Sequence, residues 1–175
     1  MNIHPLVVHF PIALLCLYSA LEVVKHFTKA PYWTQVRAVL VITGTAGAFA
    51  SLQTGEIAEE LFGATAGSQA HDVLEMHSLF ATVTTWVYAV LAASYVLLWL
   101  KQNPSVRKLV PQAAVPPLRY LVSIAKIVLR TPIAPILAVL GFVGLGIVGA
   151  LGATLVYGPD FDPMTSLVNK MLFKN

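Results

Sequence analysis

Residues 131–159 read TPIAPILAVLGFVGLGIVGALGATLVYGP, 29 residues without an Asp, Glu, Lys or Arg. About 20 apolar residues cross a bilayer as a helix. Backbone amides in lipid must bond within their own segment, so this stretch is predicted to be a membrane-spanning helix. Three more windows repeat the pattern: residues 1–21, 38–55 and 76–100 also carry no Asp, Glu, Lys or Arg. Spans are expected over about 5–27, about 35–57, about 76–100 and about 134–157. The expected fold is all-α, one integral membrane four-helix up-down bundle over residues 1–175.

Composition points the same way. Only 11% of the 175 residues are charged, against about 25% in a soluble domain, and mean hydropathy is +0.75. An ordinary soluble enzyme and a disordered chain are excluded. The basic residues form no single interleaved stripe, so nucleic acid is not an expected partner; the bilayer is. A single cysteine, Cys16, excludes an internal disulfide, a CxxC metal knuckle and a CxxCH haem attachment. The first window has no basic n-region and no clear cleavage site, so it reads as a retained span rather than a signal peptide.

Charge sets the expected orientation. Lys25, Lys29 and Arg37 fall in the first loop, and Lys101, Arg107, Lys108, Arg119, Lys126 and Arg130 in the third. The second loop has no Lys or Arg and carries Glu56, Glu59, Glu60, Asp72 and Glu75. The positive-inside rule puts loops one and three in the cytoplasm of a bacterial cell and both termini outside the inner membrane. Tyr32, Trp33, Tyr95, Trp99 and Tyr120 are expected at the inner interface as an aromatic belt. Within the basic segment 101–131, residues 101–117 read as a cytoplasmic linker. Residues 118–130 gather Arg119, Lys126 and Arg130 on one helical face and read as an amphipathic helix on anionic headgroups. Residues 158–175 read as a short outer tail.

Four of five histidines gather at one membrane face. His4 and His9 open the first span, and His71 and His77 open the third. Both spans run from outside to inside, so two depth-matched layers are expected: His4 with His71 near water, and His9 with His77 deeper. Residues five or six apart on one helix point about 120–140° away from each other. A shared ligand must therefore be gripped from two helices, as bis-imidazole haem is. The expected cofactor is a b-type haem with His9 and His77 as axial ligands. His4 and His71 form a second pair or support the propionates. Such a protein would pass electrons to or from a quinone or an outer-face cytochrome c. The alternatives are a membrane protein that binds or handles a transition metal ion through the same histidines, with His4, His71 and Glu75 as ligands, and a non-catalytic assembly subunit. His26 reads as a surface residue paired with Glu22. Gly44, Ala48, Ser51 and Gly55 share one stripe of the second span, which either packs a helix or leaves room for a flat ring beside Gly55. Gly146, Gly149, Ala150 and Ala153 are the small residues noted in the fourth span.

The opening HPLVVHFPIAL of residues 4–14 resembles the signature of a bacterial membrane family known as domain of unknown function 2231. The second span ending in Thr54 and Gly55, and His77 at the start of the third, are similar as well. The resemblance is best over residues 1–100, with the fourth span matched by topology only and the long basic third loop a departure. It implies four spans, and, because relatives are joined to cytochrome c modules, redox work.

Overall fold

The computed structural model describes residues 4–25, 33–62, 68–109, 111, 115–130 and 132–173; within them, the side chains of 4–6, 59–62, 68–69, 106–107 and 109 are not described. The described residues are helical with short connections. Four helices are long and apolar enough to cross a membrane: α1 (His4–Val24), α2 (Trp33–Phe62), α3 (Ser68–Gln102) and α6 (Ile133–Tyr157). Between α3 and α6 lie a short α4 (Pro104–Leu109) and α5 (Val115–Arg130), and α7 (Pro163–Phe173) follows α6. The chain is a helical membrane bundle.

The long helices pack in a ring, α1 on α2, α2 on α3, α3 on α6 and α6 on α1. This sets α1 and α3 across the diagonal, running in the same direction. Lipid is as apolar as leucine, so association rests on close packing and on hydrogen bonds between helices. Both are visible. The inward stripe of α1 is Pro11, Leu15, Tyr18, Ser19 and Glu22, all buried and spaced by threes and fours. Its partner on α2 is Arg37, Val41, Gly44 and Thr45. Gly44 is required there: a Cβ would sit 2.7 Å from Leu15 Cδ2. On α6 the packed face is Ala134, Ala138, Gly141 and Gly144, and a Cβ on Gly141 would sit 2.6 Å from Tyr88 Cζ of α3. Of the small residues noted in this span, only Ala150 is buried; Gly149 has open space, and Gly146 faces Met164 of α7.

Three features differ from the sequence reading. Helix α3 starts at Ser68, so His71, Asp72 and Glu75 lie on helix rather than in a loop. Once a helix exists, each further residue adds a hydrogen bond at little cost, and charged side chains at its end remain in water. The segment after α6 also folds. Asp162 Oδ1 accepts from the Met164 and Thr165 amides at 2.7 and 3.0 Å, and the Asp162 amide donates to Thr165 Oγ1 at 2.9 Å. This reciprocal cap starts α7 behind Pro163. Asn169 then donates to Thr154 Oγ1 at 2.7 Å, and Val168 packs with Val73, Ala150 and Leu151, so α7 closes one side of the α3–α6 seam. Finally, Tyr95 is buried, unlike the belt residues Trp99 and Tyr120, which are exposed. Its hydroxyl has a partner inside the bundle. Tyr32 lies outside the described residues.

Candidate ligand site at the histidine end

His77 lies within α3 in register with Thr84, Tyr88 and Tyr95, at spacings of seven and four, which is the helix's inward face. Its ring is half-buried and rests on α6, with Cε1 3.3 Å from where a Gly152 Cβ would be. A side chain at that place would press closely on the imidazole.

The depth of His77 relative to α1 follows from contacts further down. Ser19 meets the Tyr88 hydroxyl at 2.8 Å, and the Tyr95 hydroxyl donates to Glu22 Oε2 at 3.3 Å. These pairs are 69 and 73 residues apart in sequence. Carried up two helices running the same way, that offset puts His77 level with residues 4–8 of α1. His9 is just below this level but exposed, roughly 120–160° around the helix from Leu15 and Pro11. His4 opens α1, and helical register sets its position within roughly 20° of Pro11 and Leu15; its side chain is outside those described. His71 is exposed, as are Asp72, Glu75 and Glu56, a solvated acidic rim. His71 and Glu75 are one turn apart and share a face. Among the described residues no group of three or more His, Cys, Asp and Glu side chains could hold a metal ion. His26 lies outside the described residues, and the Glu22 it was expected to meet is occupied elsewhere.

On α2 the stripe of Arg37, Val41 and Gly44 continues through Ala48, Ser51 and Gly55, and none of these last three is fully buried. The inward positions of α2 at this end are thus small and partly accessible, with the half-buried imidazole of His77 at the same end, while Val73, Ala150 and Leu151 are buried on the α3–α6 side.

The other end holds a polar cluster that periodicity alone did not single out. Glu22 is 0% exposed. Its carboxylate accepts from Lys25, from Arg37 at 3.3 Å and from Tyr95 at 3.3 Å. Lys25 also donates to the Leu129 carbonyl of α5 at 3.4 Å, and Arg37 to the Trp33 carbonyl at 3.2 Å. One acid thereby ties together α1, α2, α3 and α5. The Tyr18 ring lies edge-on to Tyr88 and Tyr95, with centroids 6.3 and 6.4 Å apart. A signal was available: Glu22 is the single carboxylate of the eight in the chain that falls at the basic end.

The model of a family described as predicted membrane protein, DUF2231, matches residues 1–160. The chain belongs to the DUF2231 family. The match carries through the fourth span, beyond the residues on which the resemblance was strongest. For this DUF2231 member, no curated protein and no solved structure gives a match.

Proposed function

We propose that this DUF2231 protein is a membrane redox protein whose histidine end takes a b-type haem, exchanging electrons with a quinone or a cytochrome c at that face. The observation that carries the reading is His77, directed inward within a span, in the half of the bundle where the α2 stripe is small and incompletely buried. Ionisable groups within spans are by default functional, and neutral imidazole is a good axial ligand. Haem would supply one-electron chemistry, and the chain would set its potential by ligation and burial.

The second ligand comes from α1. Register favours His4, which shares the inward stripe at the level of His77. His9 could serve only a ligand lying on the outer flank of α1. Ala48, Ser51 and Gly55 offer the flat face that a ring needs. The transition-metal alternative rests on His71 and Glu75, which are two donors without a third among the described residues. The orientation proposed is N-out and C-out in the bacterial inner membrane, on the Lys and Arg count. The acidic rim then faces out, where it would dock a basic cytochrome.

The test is a visible spectrum and a pyridine haemochrome assay on protein purified from haem-sufficient cells. The expected result is a Soret band that His77→Ala abolishes and His71→Ala leaves. His4→Ala against His9→Ala decides the second ligand. Absence of a Soret band in the unaltered protein, or full haem content after His77→Ala, would overturn the reading.

A further inference from the structure

The basic end carries more positive charge than its one acid can answer. Both cations nearest Glu22, Lys25 and Arg37, already share its carboxylate. The other seven acids are Glu56, Glu59, Glu60, Asp72 and Glu75 around the α2–α3 junction and Asp160 and Asp162 after α6, all at the far end of the bundle. Yet packing of α5 on the last turns of α3 brings three further cations together. Lys126 of α5 reaches Lys101 of α3, and Arg130 adds to their field. Contact with Lys101 and the nearby charge of Arg130 push the Lys126 ammonium below its ordinary lysine range. Beside Lys101 opens a cleft of about 350 Å³ lined by Lys101, Gln102, Pro104 and Lys108.

The surroundings specify what the counter-ion is attached to. Helix α5 is held to the bundle by one stripe, Val122, Ala125 and Val128. Its far face shows Tyr120, Leu121, Ile124 and Ile127, all exposed and apolar. Lys126 and Arg130 flank the boundary between these faces. An anion with apolar chains matches both sides of that boundary, whereas a free anion matches only one. We propose that Lys101, Lys126 and Arg130 form a headgroup site for an anionic phospholipid, whose phosphate sits between α3 and α5 while its acyl chains cover the outer face of α5. The site is independent of any haem, and uses none of the histidines.

Each Lys or Arg near an anionic surface contributes about 1 kcal/mol. Removal of two should therefore weaken binding on the order of thirtyfold. The experiment is native mass spectrometry of the full chain in mild detergent, titrated separately with dioleoylphosphatidylglycerol, dioleoylphosphatidylcholine and inorganic phosphate. The expected result is retention of phosphatidylglycerol over phosphatidylcholine, loss of that preference in the Lys101→Gln/Lys126→Gln variant, and no change in Lys170→Gln at the other end. The double variant should melt no lower than the parent in lipid-free detergent, because a repulsive contact has gone. Equal retention of the two lipids, or an undiminished preference in the double variant, would overturn the proposal. So would binding of inorganic phosphate as tight as that of phosphatidylglycerol, which would make the occupant a soluble anion.

Discussion

At the basic end, the inward positions of the spans hold Leu15, Tyr18, Glu22, Arg37, Val41, Tyr88 and Tyr95, and every one is buried. Two to four turns along the same stripes stand Ala48, Ser51, Gly55 and His77, and none is. The backbone geometry is common to both halves, so the contrast is one of filling. Large rings and a shared carboxylate lock the first half. The second half keeps its helices aligned by continuation from the first, and by α7 along one seam. A bundle clamped at one end can leave the α2 stripe at the other less completely filled, and the proposed ligand would enter there. The division predicts that substitutions at the basic end change stability and those at the histidine end change binding.

Five single variants and one double variant would break or sharpen this contrast. Arg37→Met removes a partner from a buried carboxylate and should lower stability by about 3–5 kcal/mol, seen as a lower melting temperature in mild detergent. Adding Glu22→Gln should restore part of that loss, since the uncompensated charge goes too. Gly44→Leu drives a side chain into Leu15 and should cost about 1–3 kcal/mol by overpacking; an unchanged melting temperature would mean that the α1–α2 contact is looser than described. Tyr88→Phe removes the Ser19 hydrogen bond while the ring stays, for a loss of about 1 kcal/mol. Smallest is Gly149→Ala, whose Cβ meets nothing within 4 Å. It should be neutral or stabilising by no more than about 1 kcal/mol. Gly55→Leu is the matching test at the histidine end, where haem content should fall and the melting temperature hold.

Orientation can be settled separately. A cysteine placed at Ser105, with Cys16 replaced, should resist an impermeant thiol reagent added to intact cells and react after permeabilisation.

The spans were legible because charge-free windows of this length have one structural solution in lipid. His77 was legible as a candidate for the same reason, as it stands out in an apolar run. Side-chain direction was harder. Depth matching takes only the rise per residue, and on that measure His9 pairs well with His77. Facing takes the phase of the stripe, which became clear once Leu15, Tyr18 and Glu22 were seen to be buried. Sequence spacing pairs Glu22 with His26, four residues on, because its partners in the fold, Arg37 and Tyr95, are 15 and 73 residues away. Tyr95 reads from sequence as an interface residue because aromatic residues at span ends are usually there. The cap of α7 was present in the sequence as Asp162, Pro163 and Thr165, a local signal overshadowed by the long apolar span before it.

The Glu22 cluster also bears on how the chain enters the membrane. Emerging from the ribosome, α1 carries Glu22 before Arg37 has been made, with Lys25 the nearest counter-charge. A carboxylate near a span's end is a burden on insertion of that helix alone. The burden lifts when α2 follows and brings its guanidinium alongside. The first two spans are therefore best inserted as a hairpin, with the ion pair as its latch. Tyr95 and the Leu129 carbonyl join only after the third span and α5 have been made. The cluster thus assembles in the order of synthesis: α2 and α3 each add a hydrogen bond to an acid laid down at the start, and α5 accepts one from its partner Lys25.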